Sequence, residues 1–254
     1  MQHEEQDGER TLVVGDPAAL GRVATRRGFL RTLGLGGTLV LLPSVFAACD
    51  DDDDPNGLDP NGPVVLDLST DLGIFNFAYL LEQLDSKFYE AVVGSTAFAS
   101  FSTAEREVLN DLRGDEVTHR EFYRAALSAA GALQVPDITP NVQGRLTTRE
   151  VILNTARELE DTGISAYNGA GRFIRAPQNL LVAGKIVSVE ARHAAAIRDM
   201  LQPNTDFFAN VTNLAPLGAN EAQGLDAAAT PSQVLAAASP YLPVPVSIGS
   251  APTR

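Results

Sequence analysis

Two Glu-x-x-His pairs, Glu116–His119 and Glu190–His193, stand in the middle of apolar helical seams and constrain the fold more than any other feature. One seam reads Leu109, Leu112, Glu116, His119, Tyr123, Ala126. The other reads Ala183, Ile186, Glu190, His193, Ile197, Met200. Spacings of three and four mark a helix face turned toward a core. Residues three apart project from the same side of a helix, so each carboxylate reaches the same point as its imidazole. Ionisable groups at such positions are costly unless they are paired or bind a metal. The chain has 3 histidines. Apart from His3, each follows a Glu by three.

From Leu68 onward the periodicity predicts four long helices. The first spans about residues 70–93, with Ile74, Phe77, Leu81, Leu84, Phe88 and Val92 as its apolar stripe. Thr70 is its N-cap candidate, Gly94 its stop, and Glu82 lies at the edge of the stripe. The second opens on Ser102 with Glu105 three residues later, a capping-box pattern, and runs to about Ala130. Residues 131–146, with Pro136, Pro140 and Gly144, form a long connection. The third begins at Thr147 or Thr148 and continues to about Ile174. The fourth runs from about Pro177 to Leu201, and Pro203 ends it. Beyond it, Thr230-Pro231-Ser232 opens one short capped helix, and the remaining tail reads as extended chain wrapped on the bundle.

Hairpin geometry selects two further acids. Residues equidistant from the turn of an antiparallel hairpin lie at the same height. Glu82 and Glu116 are centred on the turn between helices one and two. Glu160 and Glu190 are centred on the turn between helices three and four. Glu158, Glu160 and Asp161 compete for the third-helix position. The seam Leu153, Ala156, Glu160, Gly163, Tyr167 selects Glu160 and leaves Glu158 as a solvated acid. Tyr123 and Tyr167 share these inward faces and approach the same region, either as hydrogen-bonding partners of the site or as packing residues.

Charge and cysteine usage exclude several classes. Lys+Arg 19 against Asp+Glu 32 gives a net charge of −13, which argues against nucleic acid as a partner. The single cysteine, Cys49, excludes an intrachain disulfide or a thiolate metal cluster. The glycines are scattered, with no phosphate-binding loop, nucleophile elbow or dinucleotide fingerprint.

Residues 25–31, TRRGFLR, resemble the twin-arginine export signal at Arg26, Arg27, Phe29 and Leu30, with Arg31 in place of the usual Lys. An apolar run from Leu33 to Ala48 follows, too short and Gly-rich to mark a membrane span. It ends in Val45-Phe46-Ala47-Ala48-Cys49, which resembles a bacterial lipobox except that Phe46 replaces the usual Leu. The resemblance implies export by the twin-arginine route and a periplasmic or cell-surface location with lipid on Cys49. Cleavage near Ala47, giving a soluble exported protein, and an uncleaved N-terminal anchor are the alternatives. The DDDDDPNGLDPNGP stretch that follows Cys49 cannot build a core and reads as a tether. The expected organisation is a signal at 1–48, an acidic tether at 49–67, a four-helix bundle at 68–202 and a Pro/Ala-rich extension at 203–254.

The set Glu82, Glu116, His119, Glu160, Glu190 and His193 resembles the ferritin-like di-metal carboxylate proteins, in which two helices each give one Glu and two each give Glu-x-x-His. The resemblance covers roughly residues 70–200. It implies an all-α, ferritin-like antiparallel four-helix bundle with a long connection between helices 2 and 3. The stretches LEDTGISAYNGA (159–170) and VSVEARHAAAIR (187–198) are similar to a bacterial ferritin-like family that includes the plant desiccation-related proteins. By this resemblance Glu116 and Glu190 bridge two metals, Glu82 and Glu160 are terminal ligands, and each His binds one metal. Two divalent cations balance four buried carboxylates, and mixed oxygen and imidazole ligation suits two iron or two manganese ions. The implied activity is that of an oxidoreductase acting on O2, peroxide or Fe2+, ferroxidase or peroxidase-like. The alternative is a non-enzymatic metal-binding or stress-protective surface protein. An adhesion module with merely solvated acids is disfavoured by the mid-seam histidines, and a storage cage by the tether and tail. The membrane enters only through the lipid, and the oligomeric state is left open.

Overall fold

The computed structural model describes residues 62–252. The signal-like segment, with Arg26, Arg27 and Cys49, and the acidic part of the tether lie outside the described residues. Four long helices carry the fold: α1 (Asp71–Gly94), α2 (Thr103–Ala129), α3 (Arg149–Gly171) and α4 (Pro177–Leu201). α1 packs along α2 as one hairpin and α3 along α4 as the other, with α1 also packed on α3 and α2 on α4. Among the described residues no helix is long and apolar enough to cross a membrane.

The helix starts follow from local hydrogen bonding. Thr70 accepts from the Gly73 N–H, and Ser102 and Glu105 form a complete capping box. Thr148, rather than Thr147, caps α3 by accepting from Val151 N–H. α4 has no side-chain cap of its own. Asp71, at the first position of α1, supplies one. Its carboxylate accepts from Arg175 N–H, Ala176 N–H and the Asn179 side-chain amide at 2.9, 3.0 and 2.9 Å. One carboxylate thus favours two helix N-termini at once. At the other end of α4, Arg149 donates to the Met200 carbonyl at 2.7 Å. α3 stops at Gly171, three residues before the expected end near Ile174. Phe173 and Ile174 donate to carbonyls three residues back, which tightens the final turn into 3-10 geometry.

The apolar stripes form one core. Ile74, Phe77, Leu84, Phe88 and Val92 of α1 are all buried, as are Leu109, Leu112, Leu153, Ala156, Ile186 and Ile197 from the other three helices. The long connection between α2 and α3 is tied to α1 by two amides. Asn76 bonds Leu133 and Val135, and the buried Gln83 donates to Pro136 C=O and accepts from Ile138 N–H. A buried ion pair holds α3 to α4, with Arg198 donating to Asp161 at 2.5 Å. The residues are 3% and 6% exposed, so loss of Arg198 leaves the buried Asp161 carboxylate to the weaker support of Arg157 and Asn213. Arg198→Met is expected to cost about 3–5 kcal/mol in a chemical-denaturation measurement. A cost below about 1 kcal/mol contradicts this burial.

Two features depart from the sequence expectation. Residues 64–67, assigned to the tether, form a strand, β1 (Val64–Asp67), with Val64 and Leu66 buried. It pairs in parallel with β2 (Val246–Ser250) from the tail, so the structured region begins before Leu68. The tail is also more ordered than extended chain. It carries 3-10 turns at Asp206–Ala209, Thr212–Leu217 and Glu221–Gln223, ahead of the short helix the sequence led us to expect, α5 (Pro231–Ala238), capped by Thr230 and Gln233. It docks on α3 where Ala229 N–H donates to the Ser165 carbonyl at 2.9 Å and Asn168 donates to the Ala227 carbonyl at 2.9 Å.

Candidate metal centre

All six candidate ligands converge inside the bundle. Glu82 comes from α1, Glu116 and His119 from α2, Glu160 from α3, and Glu190 and His193 from α4, each 4% exposed or less. Their ligand atoms fall into two groups. Glu82, Glu116, His119 and Glu190 form one; Glu116, Glu160, Glu190 and His193 form the other. Within each group the atoms lie within 4.8 Å of one another, and each can hold a metal ion. Glu116 and Glu190 belong to both.

The imidazoles cross between hairpins. His119 Nδ1 lies 2.8 Å from Glu190 Oε1, and 3.5 and 3.6 Å from Glu116 and Glu82. His193 Nδ1 lies 2.7 Å from Glu116 Oε1, 3.7 Å from Glu160 and 3.9 Å from Glu190. The rings stack with centroids 6.3 Å apart. Both Nδ1 atoms, both Glu116 oxygens and one oxygen each of Glu82, Glu160 and Glu190 are buried without a well-directed hydrogen bond, the short Nδ1–carboxylate approaches included. Such orphaned atoms are costly unless something else satisfies them. A donor set of carboxylate oxygens and imidazole nitrogens converging on two points fits metal cations.

Neighbouring side chains orient these donors. Tyr89 donates to Glu160 Oε1 at 2.5 Å, and the Tyr167 hydroxyl donates to Glu82 Oε1. Glu82 and Glu160 therefore each have one oxygen fixed by a tyrosine of the opposite hairpin and the other left without a hydrogen bond. Tyr123, buried, neighbours the Tyr167 hydroxyl. Of the two tyrosines singled out from the sequence, Tyr167 touches a candidate ligand and Tyr123 stands behind it. Tyr89 was not placed at the site from the sequence, although a signal existed: it follows Glu82 by seven, as Tyr167 follows Glu160. Asp115 was missed as well. Its Oδ2 lies 3.3 Å from His193 Nε2, placed to accept an Nε2–H and so to leave Nδ1 free to ligate a metal. Of the acids competing with Glu160, Asp161 pairs with Arg198, and Glu158 lies on the outer face, where it accepts from the Tyr241 hydroxyl at 2.6 Å.

The charge balance of the metal-free cluster predicts a pH response. Burial, partly offset by His119, raises the Glu82 carboxyl from 4.5 to about 7. Burial, reinforced by Glu116, raises Glu190 well above its ordinary value. For the imidazoles burial acts downward, but the surrounding carboxylates outweigh it and both rise. Glu116 alone falls, because the two imidazoles overcome the effect of burial. Groups with raised folded values hold protons more tightly folded than unfolded. The stability Glu82 contributes is therefore complete below 4.5 and lost as pH rises through about 7. Metal displaces those protons, so its stabilisation grows over the same window. Metal-free protein is expected to lose several degrees of Tm from about pH 5 to pH 8, while the Tm gain on adding metal increases. Melting curves with and without metal check both slopes; a flat metal-free profile contradicts the charge balance.

Comparison with curated proteins finds no match. A family model described as a ferritin-like domain matches residues 70–203, the stretch that contains all four long helices and every candidate ligand, and the chain belongs to that family.

Proposed function

We propose that the protein is an exported oxidoreductase with a dinuclear iron or manganese centre, acting on O2, peroxide or Fe2+. The observation that carries this reading is the pair of ligand groups sharing Glu116 and Glu190, since two shared carboxylates join two metal positions into one centre. In this reading Glu82 and His119 complete one position and Glu160 and His193 the other. Two such metals supply or accept electrons while remaining bound. Tyr89 and Tyr167 hold the terminal carboxylates, Asp115 fixes the His193 tautomer, and the apolar core excludes bulk water. Export by the twin-arginine route, with lipid on Cys49 holding the domain at a periplasmic or cell surface, completes the proposal. The test is metal analysis of natively exported protein followed by peroxide-consumption and Fe(II)-oxidation assays. About two iron or manganese ions per chain with turnover supports it.

A second reading has its own support in the burial of every ligand at 4% exposure or less. In that reading the chain is a non-enzymatic metal-binding, stress-protective surface protein, close to the desiccation-related group. Full metal content with no turnover selects it.

A further inference from the structure

Large apolar side chains that stand exposed are not spread evenly over the described residues. There are seven, and five of them, Val65, Leu72, Leu133, Leu180 and Leu181, gather at one end of the bundle, where α1 and α4 begin and α2 and α3 finish. They come from four separate segments. Val65, Leu72 and Leu133 border a groove of about 250 Å³ between β1, the first turns of α1 and the residues that follow α2. Leu180 and Leu181, 47% and 61% exposed, stand on the opening turns of α4, which the Asp71 carboxylate ties to the start of α1. A single apolar side chain on a surface needs no explanation, but a group assembled from four segments marks an interface with a protein or a membrane.

The path of the chain selects a membrane. The chain enters the described fold beside this end, since β1 lines the same groove as Thr70, Gly73 and Asn76. From Cys49 to residue 62 is thirteen residues, which span about 45 Å at most when fully extended. The opposite end stands one helix length farther, about 36 Å for the 24 residues of α1. Lipid on Cys49 therefore brings the apolar end to a bilayer first. Charge agrees. Arg172 and Arg175, both exposed, lie between α3 and α4 beside the two leucines. The acids at this end are engaged within the chain: Asp67 accepts from Ser69 N–H, Asp71 from three donors at the start of α4, and Asp137 pairs with Arg124. At the opposite end, Phe208 shares a turn with Asp206, and Leu225 borders a hollow lined by Asp206, Glu221 and Asp226. That acidic setting disfavours headgroup phosphates. Leucines beside arginines suit the boundary of a bilayer, with apolar tips toward the acyl chains and guanidinium groups among the headgroups.

We propose that this end of the bundle rests on a phospholipid bilayer, with Leu133, Leu180 and Leu181 entering the boundary and Arg172 and Arg175 at the headgroups. The inference rests on the lipid-anchored reading of Cys49 above. It gives the anchored domain a fixed orientation, in which the acidic end faces the aqueous compartment.

The chain has no tryptophan, so one introduced Trp reports alone. Leu181→Trp and Leu133→Trp replace exposed residues and are expected to fold, as is the control Phe208→Trp at the opposite end. Each full-length, natively exported protein is bound through its anchor to vesicles of phosphatidylethanolamine and phosphatidylcholine brominated on the acyl chains. Side chains seated at the boundary reach about 5–10 Å into it, within range of the bromine. Leu181→Trp and Leu133→Trp should shift their emission to shorter wavelength and lose at least about half of it relative to unbrominated vesicles, while Phe208→Trp should lose less than about a tenth. Anchored protein in which no reporter is quenched, or in which Phe208→Trp is quenched as strongly as the others, overturns the orientation and leaves the anchored reading intact. A blue shift of Leu181→Trp that appears without vesicles and grows with protein concentration assigns this end to a second copy of the chain and also overturns it. Wild type that does not float with vesicles overturns the anchored reading, and this inference with it.

Discussion

Glu116→Ala is expected to empty the centre. Among the described residues Glu116 is the one carboxylate with both oxygens lacking a well-directed hydrogen bond; it belongs to both ligand groups and is fully buried. In the proposed two-metal reading its loss therefore strikes both positions, whereas loss of Glu82 or Glu160 strikes one. Replacing a group that merely supports a ligand costs about 10–100-fold in metal affinity, and removing a shared ligand should exceed that. Metal content should fall from about two per chain to a small fraction, and Tm should fall to the metal-free value. His193→Ala should release mainly the metal held with Glu160 and spare part of the other. The metal-free proteins separate ligation from packing. If Glu116→Ala lowers Tm only when wild type carries metal, the carboxylate acts as a ligand. Unchanged metal content in both variants defeats the assignment.

Gly169→Ala is expected to detach the tail from α3. A Cβ at this position would lie 1.7 Å from the Ala229 carbonyl oxygen and 3.1 Å from its nitrogen. Both are backbone atoms, so no rotamer change relieves the clash. Ala229 must move, and with it go its hydrogen bond to Ser165 C=O and the nearby Asn168–Ala227 bond. Helix propensity would gain about 1 kcal/mol in an open helix, which overpacking against a fixed main chain should outweigh. The expected net cost is about 3 kcal/mol, or roughly 6–12 °C in Tm, with faster proteolysis after residue 202. A Tm within about 2 °C of wild type means that the tail is not pinned here.

The readable part of this fold is the part written in short-range pattern. Thr70, Ser102 with Glu105, and Thr230 with Gln233 announce their helices because a cap acts within three residues. Seam position chose Glu160 over Glu158 and Asp161, and the structure turns Glu160 inward. What was missed depends on chain far away. Asp71 caps a helix that begins about a hundred residues later. β1 is too short and too close to an acidic run to be recognised without its partner. Asp85 falls outside the expected ligand set because nothing in its own helix says what stands opposite. Gly163 stands opposite it, and only packing shows that the two face each other. Tyr89 alone could have been read, from its spacing to Glu82.

The parallel ribbon has a consequence for the order in which the chain becomes native. Val64 pairs with Val246, and Leu66 with Ile248. During synthesis the bundle's four helices can collapse as soon as α4 has emerged, but β1 has no ladder to join until residues 246–250 are made. Val64 and Leu66, buried in the finished protein, remain uncovered by β2 through the last stage of translation. A nascent chain stalled between α4 and β2 should therefore hold a formed helical bundle with a loose first strand, open to a chaperone or a protease. Closing the ribbon marks completion of the described fold at the segment that leads back toward the acidic run.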